Sequence, residues 1–250
     1  MGYKRTPTSP LSCPFQPAEH CRDCDCRKRC FFNFLSPESM KHFRTQRQMR
    51  RYKTHQFIFQ EGETPQGIFI LCVGDVKITK SDQRGRELTL MYHSCGDLVG
   101  EAPFLGIQSY CASAETMRES VVCFLPRELV DYLASHEPEL PKRLLRRVSR
   151  YMCQSMDRVF SFAFRSAEAR LANFLISLRT PPAPAAALPC HGHFHYSRRD
   201  IAENLGLSPE TVIRTLSSFQ NRGLIRLTGK AIEVRNRTAL ENISLEQSPQ

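Results

Sequence analysis

Residues 197–224 read SRRDIAENLGLSPETVIRTLSSFQNRGL, and the parse of this stretch decides the architecture of the C-terminal part of the chain. Ile201, Ala202 and Leu205 share one face of a first helix, predicted from about residue 199 to residue 205. Gly206 supplies a turn, Ser208 an N-cap, and Pro209 stands at the first helical position, where its missing N–H costs nothing. In the second helix Val212, Leu216 and Phe219 form a buried stripe, and Glu210, Ile213 and Arg214 occupy the opposite face of its first turns. Ile225-Arg226-Leu227 and Ala231-Ile232-Glu233-Val234 read as two strands joined through Thr228-Gly229-Lys230, a wing. An ordinary helical hairpin shares the period but gives no reason for matched inner and outer faces. A helix-turn-helix offers the start of its second helix to base edges in the major groove. There arginine can grip guanine O6 and N7, and glutamate can accept from cytosine N4. The expected DNA-facing set is Glu210, Ile213 and Arg214, flanked by Ser208, Thr211 and Arg198.

Charge points the same way. Residues 1–140 carry 18 Lys+Arg against 17 Asp+Glu, whereas residues 141–250 carry 17 against 8, so the formal net charge of +10 belongs almost wholly to the C-terminal part. A polyanion is the natural partner of that part, with a solvated basic surface as the bland alternative.

The 250 residues suit two modest domains, and a hydrophobic content of 41% is enough to build cores. No run of about 18 apolar residues exists, so no membrane span is expected. The opening MGYKRTPTSPLSCPF lacks an apolar h-region and predicts no secretory signal; its Met-Gly-x-x-x-Thr start reads as a chance match to a myristoylation pattern. The expected compartment is the cytoplasm. In a reducing cytosol 11 cysteines, an odd number, point to metal or redox chemistry rather than disulfides. Four of them, Cys21, Cys24, Cys26 and Cys30, crowd into HCRDCDCRKRC (20–30) among arginines and a lysine. They could form a self-contained zinc site. A catalytic dithiol would need a thioredoxin-like βαβ context, which is missing near residue 24. Cys72, Cys95 and, taken alone, Cys123 read as buried core cysteines, Cys13 as a free thiol, and Cys190-His191-Gly192-His193 as a solvated loop.

Between these ends, residues 55–130 show short β-rich runs punctuated at Gly62, Gly67, Gly74, Gly85 and Gly96, the pattern of an all-β roll. Val76-Lys77-Ile78-Thr79 and Glu87-Leu88-Thr89-Leu90 alternate as half-buried strands do, and a last strand from Ser120 stops at Pro126. From Glu139 the period changes. Leu145, Val148, Met152, Ser155, Val159 and Phe162 form an a/d seam, expected to pair two copies of the chain rather than pack on its own roll. A further helix starts behind Ser166 as N-cap, and TPPAPAAALP (180–189) reads as a loop. The predicted fold is α+β: a cysteine-rich segment (1–35), a jelly-roll-like β-roll sensor domain (36–138), a dimerisation helix (139–165) and a winged helix-turn-helix domain (166–250).

In this order of parts the chain resembles the CRP/FNR family of bacterial transcription regulators. G-D-L-V-G (96–100) is typical of the family's roll and D-I-A-x-x-L-G-x-S-x-E-T-V-x-R (200–214) of its DNA reader. The cyclic-nucleotide branch holds the phosphate with an Arg-Ser pair after Gly-Glu. Here Gly100-Glu101 is followed by Ser109-Tyr110-Cys111-Ala112, without an arginine, so no cyclic nucleotide is expected. The FNR branch carries C-x2-C-x5-C and one later cysteine. The resemblance implies a [4Fe–4S] cluster on Cys21, Cys24, Cys30 and Cys123, intact without oxygen and dismantled by it, with Cys26 unassigned and zinc as the alternative. It further implies a homodimer on double-stranded DNA, a palindrome resembling TTGAT-N4-ATCAA, and contact with RNA polymerase. Two departures stand out. Ile213 replaces the serine usual in the branch, and the seam carries Ser155 with no carboxylate, Asp157 lying off it.

Overall fold

A computed structural model describes residues 30–101, 105–177, 196–229 and 231–245. Cys13, Cys21, Cys24, Cys26 and the Cys190–His193 loop lie outside the described residues. The described chain groups into two units, residues 30–80 with 90–142, and residues 81–89 with 143–177 and 196–245.

The first helix, α1 (Pro37–Gln46), is capped by the Ser36 hydroxyl, which accepts from the Ser39 N–H. Eight strands follow: β1 (Gln48–Tyr52), β2 (Phe57–Phe59), β3 (Gly67–Val73), β4 (Asp75–Ser81), β5 (Glu87–Ser94), β6 (Leu98–Val99), β7 (Ser113–Thr116) and β8 (Ser120–Pro126). They form two four-stranded sheets, ordered β1-β8-β3-β6 and β2-β7-β4-β5. Period-2 alternation explains how the roll closes. Phe69 and Leu71 of β3 and Val122 and Phe124 of β8 join Phe59, Val76, Ile78, Val99, Tyr110 and Ala114 in one buried cluster. Tyr110 stacks on Phe59 with ring centroids 3.7 Å apart, and Arg50 lies 3.7 Å above the Phe124 ring. Aromatic rings therefore occupy the roll interior.

The alternate residues of β3 and β8 face the other way, and α1 and α2 (Arg127–His136) pack against these strands. Phe32, Leu35, Phe43, Leu129 and Leu133 are buried there, with the Phe32 and Phe43 rings 5.6 Å apart. Lys77 departs from the half-buried alternation expected of β4. It is buried, because Glu115 on neighbouring β7 lies 3.4 Å away and takes its charge.

The long helix α3 (Glu139–Phe164) has 26 residues, about 39 Å at the standard rise. Ser166 caps α4 (Ala167–Ser177) by accepting from the Ala169 N–H. Then come α5 (Arg198–Leu205), α6 (Pro209–Asn221), a two-stranded sheet of β9 (Ile225–Thr228) and β10 (Ala231–Val234), and α7 (Arg237–Ser244). Leu171, Leu175, Ile201, Val212, Leu216, Phe219 and Leu240 form the core of this part. The fold is the α+β arrangement expected: a β-roll, a long helix and a winged helix-turn-helix.

Candidate nucleic-acid interface and cysteine site

The DNA-facing candidates sit at the junction of α5 and α6. Ser197 caps α5 in a capping box with Asp200, and Gly206 ends it at φ 60°, a left-handed turn that favours glycine. Ser208 then caps α6, its hydroxyl accepting from the Thr211 N–H at 3.2 Å, and Pro209 opens the helix. Val212, Leu216 and Phe219 are buried as the stripe requires, joined by Thr215, whose hydroxyl is satisfied by the Thr211 carbonyl at 2.8 Å.

This seating leaves the other face free. Glu210 and Arg214 are exposed, and Ile213 keeps 51% of its surface in solvent beside them. Bonds from its own backbone N–H and from the Ser208 hydroxyl hold the Glu210 carboxyl below its ordinary value, so it stands ready as an acceptor. Arg198, at the start of α5, is half-buried, and burial pulls it below the ordinary arginine value. Its Nη1 is buried with no hydrogen-bond partner among the described residues.

The dimer-seam candidates are unpaired in the single chain. Leu145, Val148, Met152 and Val159 on α3 are 68%, 39%, 56% and 68% exposed, a face that no described part of the chain covers. Ser155 is exposed as well. Phe162, at 37%, is partly taken up by Arg158 and Arg170, whose guanidinium carbons lie 5.4 and 5.6 Å from its ring centroid. Met156, Phe160 and Phe164 add an exposed apolar row that the heptad reading missed, since a strict a/d count passes over them.

Of the cysteine candidates, Cys30 and Cys123 are described. Cys123, in the middle of β8, pairs with Ile70 on β3 and Met49 on β1. Because Val122 and Phe124 point into the roll, Cys123 faces the opposite side, toward the helices. Cys72 of β3 lies on the same side and hydrogen-bonds to Cys123. That bond, with the charge and hydrogen bond of the Arg47 guanidinium, outweighs burial and lowers the Cys123 thiol from its ordinary value. Cys95 is a buried core cysteine, its Sγ donating to the Cys72 carbonyl at 2.9 Å. Cys72 is half-buried, so its reading as a plain core residue changes: it is a neighbour of Cys123. Cys30 reaches the same sheet through its successor, as the Phe31 N–H donates to the Gly96 carbonyl at 3.0 Å. Among the described residues no group of three or more His, Cys, Asp or Glu could hold a metal ion.

Comparison with known proteins agrees with this geometry. A model of the cyclic nucleotide-binding domain matches residues 49–137, and one of the Crp-like helix-turn-helix domain matches residues 169–243. Fold and matched domains together define a DNA-binding transcription regulator with a cyclic nucleotide-binding-like β-roll domain, not an enzyme. The chain is 27% identical over 228 residues to the fumarate and nitrate reduction regulatory protein of Escherichia coli K12, covering 91% of each. It is 28% identical over 219 residues to the transcriptional activator protein anr of Pseudomonas aeruginosa, covering 87% of this chain and 89% of that one. FixK2 from Bradyrhizobium japonicum superposes with a TM-score of 0.69 at 25% identity, over 81% of this chain and 99% of that structure. The chain belongs to the CRP/FNR family.

Proposed function

We propose that this family member is a cytoplasmic, homodimeric regulator that responds to oxygen through a [4Fe–4S] cluster on Cys21, Cys24, Cys30 and Cys123. The observation that carries the reading is the environment of Cys123: a thiol turned away from the roll interior, with its thiolate favoured by Cys72 and Arg47. The cluster, when bound, supplies the oxygen sensitivity. The protein's own part is to hold thiolates there and to balance negative charge with Arg47 and with Arg22, Arg27, Lys28 and Arg29 of the cysteine-rich segment. Similarity to the fumarate and nitrate reduction regulatory protein and to anr supports the same branch.

The exposed seam of α3 brings two copies together, and each α6 enters a major groove of a palindrome resembling TTGAT-N4-ATCAA, half-sites about one helical turn apart. Arg214 and Glu210 keep the guanine and cytosine readings, and Ile213 packs on a thymine methyl where the branch usually has serine. Exposed loops of the roll are the natural surface for RNA polymerase. A cyclic nucleotide is not expected as the signal, because Ser109-Tyr110-Cys111-Ala112 offers no arginine for its phosphate.

The test is the visible spectrum of protein purified without oxygen, with iron, sulfide and zinc assayed on the same sample. A brown protein that bleaches in air and carries about four irons and four sulfides per chain supports the reading. A colourless protein with one zinc overturns it, and makes residues 20–30 a structural staple of a regulator with another signal.

A further inference from the structure

In the second unit, one guanidinium nitrogen serves two carbonyls far apart in sequence. Arg158 Nη2 donates to the Asn204 carbonyl at 2.6 Å and to the Thr89 carbonyl at 2.8 Å. Asn204 lies in the last turn of α5, where helical geometry leaves carbonyls without intrahelical donors. The next such carbonyl, that of Leu205, accepts from Arg170 Nη1 at 2.8 Å. The Phe162 ring lies beside both guanidinium groups, and a side chain at Gly206 would meet that ring 3.6 Å from its first carbon. Two cations and one ring thus grip the C-terminal end of α5 and the turn after it, a place where positive charge also suits the helix dipole. The start of α6, with Glu210, Ile213 and Arg214, is left outside the grip.

Closing the end of α5 needs no arginine that also reaches Thr89. Arg170 donates to the Leu205 carbonyl, whereas Arg158 spends one nitrogen on Asn204 of α5 and on Thr89. We propose that Arg158 is a positioning residue of the DNA reader: it ties the α5–α6 turn to the long helix and to Thr89, and so holds the reading side chains in one orientation. The proposal rests on the DNA-reading function assigned to α6.

The test is amide hydrogen exchange on the full chain carrying Arg158→Met, alongside its affinity for a duplex bearing TTGAT-N4-ATCAA across a range of salt. Methionine keeps an apolar stem beside Phe162 and loses both donors. The expected result is faster exchange in two separate segments, around residues 87–91 and 203–208, at an unchanged thermal midpoint. Affinity for the palindrome falls about tenfold, as loss of a charge-assisted hydrogen bond implies. The slope of log affinity against log salt stays that of the wild type, since Arg158 is engaged with carbonyls and neutralises no phosphate. Arg158→Lys, which keeps a cation and a donor, recovers part of the protection in both segments, and carries the test if the methionine variant fails to fold. Faster exchange in one segment only, or in neither, overturns the proposal, as does a salt slope lowered by about one. If wild-type protein ignores the duplex, the DNA-reading assignment fails, and the exchange result still decides whether Arg158 ties the two segments.

Discussion

The Phe31 N–H donates to the Gly96 carbonyl at 3.0 Å, and this bond lays the residues after the cysteine-rich segment along the sheet that carries Cys123. Gly96 in turn donates to the Leu71 carbonyl at 2.7 Å, and Leu71 pairs with Val122, the neighbour of Cys123. Residues 31 and 122, the neighbours of Cys30 and Cys123, are therefore connected through three short backbone steps rather than through sequence.

This connection separates two substitutions. Cys123→Ser is expected to abolish the iron–sulfur absorbance of protein purified without oxygen, because it removes one of the four sulfur ligands assigned to the cluster. Cys26→Ser should leave that absorbance at the wild-type level. Iron and zinc analysis of both proteins checks this. Metal retained by Cys123→Ser and lost from Cys26→Ser would favour a local four-cysteine zinc site.

A second long-range tether predicts a pH dependence. The Ser36 N–H donates to Glu137 Oε1 at 2.9 Å, joining the start of α1 to the end of α2. Burial is the largest influence on Glu137 and pushes its carboxyl up, but hydrogen bonds from Ser36 and Ser39 and the nearby His136 charge outweigh it and hold it below 4.5. A carboxyl depressed in the folded state adds stability above its unfolded value and loses it as pH falls through the folded one. Thermal unfolding of wild type and Glu137→Gln should therefore differ most near neutrality and converge as pH falls below the ordinary carboxylate value. Parallel curves would remove Glu137 from the acid response.

Much of this was legible in the sequence, and the misses share a cause. The apolar periods gave the helix-turn-helix, the long helix and the roll strands because each depends on spacing within one element. Thr215 was missed in the buried stripe because its hydroxyl finds an acceptor one turn back, at Thr211. The alternation of Val76–Thr79 puts Lys77 on the polar side of β4, yet it is buried, because its counter-charge, Glu115, comes from another strand. The bond between Cys72 and Cys123 depends on the register of β3 against β8, which shifts between Leu71 and Val73. Arg158 acts on backbone carbonyls, and these leave no mark on residue type at positions 89 and 204. Pairings between elements are set by register and packing, and a single sequence does not state them.

The α3 seam predicts assembly. Val159, 68% exposed in the single chain, should be covered in a dimer. Val159→Asp faces two carboxylates across the twofold axis without a cation and should weaken association by about 3–5 kcal/mol. Because the wild-type seam has no carboxylate of its own, wild-type protein should sediment as a dimer with or without air, and the variant as a monomer. A variant that still sediments as a dimer would move the interface elsewhere.

Two apolar residues of α6 should behave oppositely. Phe219 is wholly buried, and Phe219→Ala should cost about 3–5 kcal/mol of stability through the cavity it leaves. Ile213→Ala should change stability by no more than about 0.5 kcal/mol, since half its surface is already in solvent. Its effect should appear on DNA instead, as weaker preference for thymine at one position of the half-site. Denaturant unfolding and binding to single-base variants of the palindrome measure the two effects separately.

Arg214 carries the sharpest prediction, because it is exposed on the first turns of a helix whose other side is fully committed to the core. A guanidinium there can make two bonds to guanine O6 and N7, and neither is available to alanine. Arg214→Ala should therefore cost about 1–3 kcal/mol on the palindrome and bring the variant's affinities for guanine and for other bases at that position close together. A lost phosphate contact would look different. It would weaken binding to all sequences about equally and lower the salt slope by about one. Competition binding with duplexes altered at the guanine, repeated at two salt concentrations, separates these outcomes. If the variant discriminates as the wild type does, α6 does not dock through Arg214, and the orientation of the reader on DNA must be redrawn.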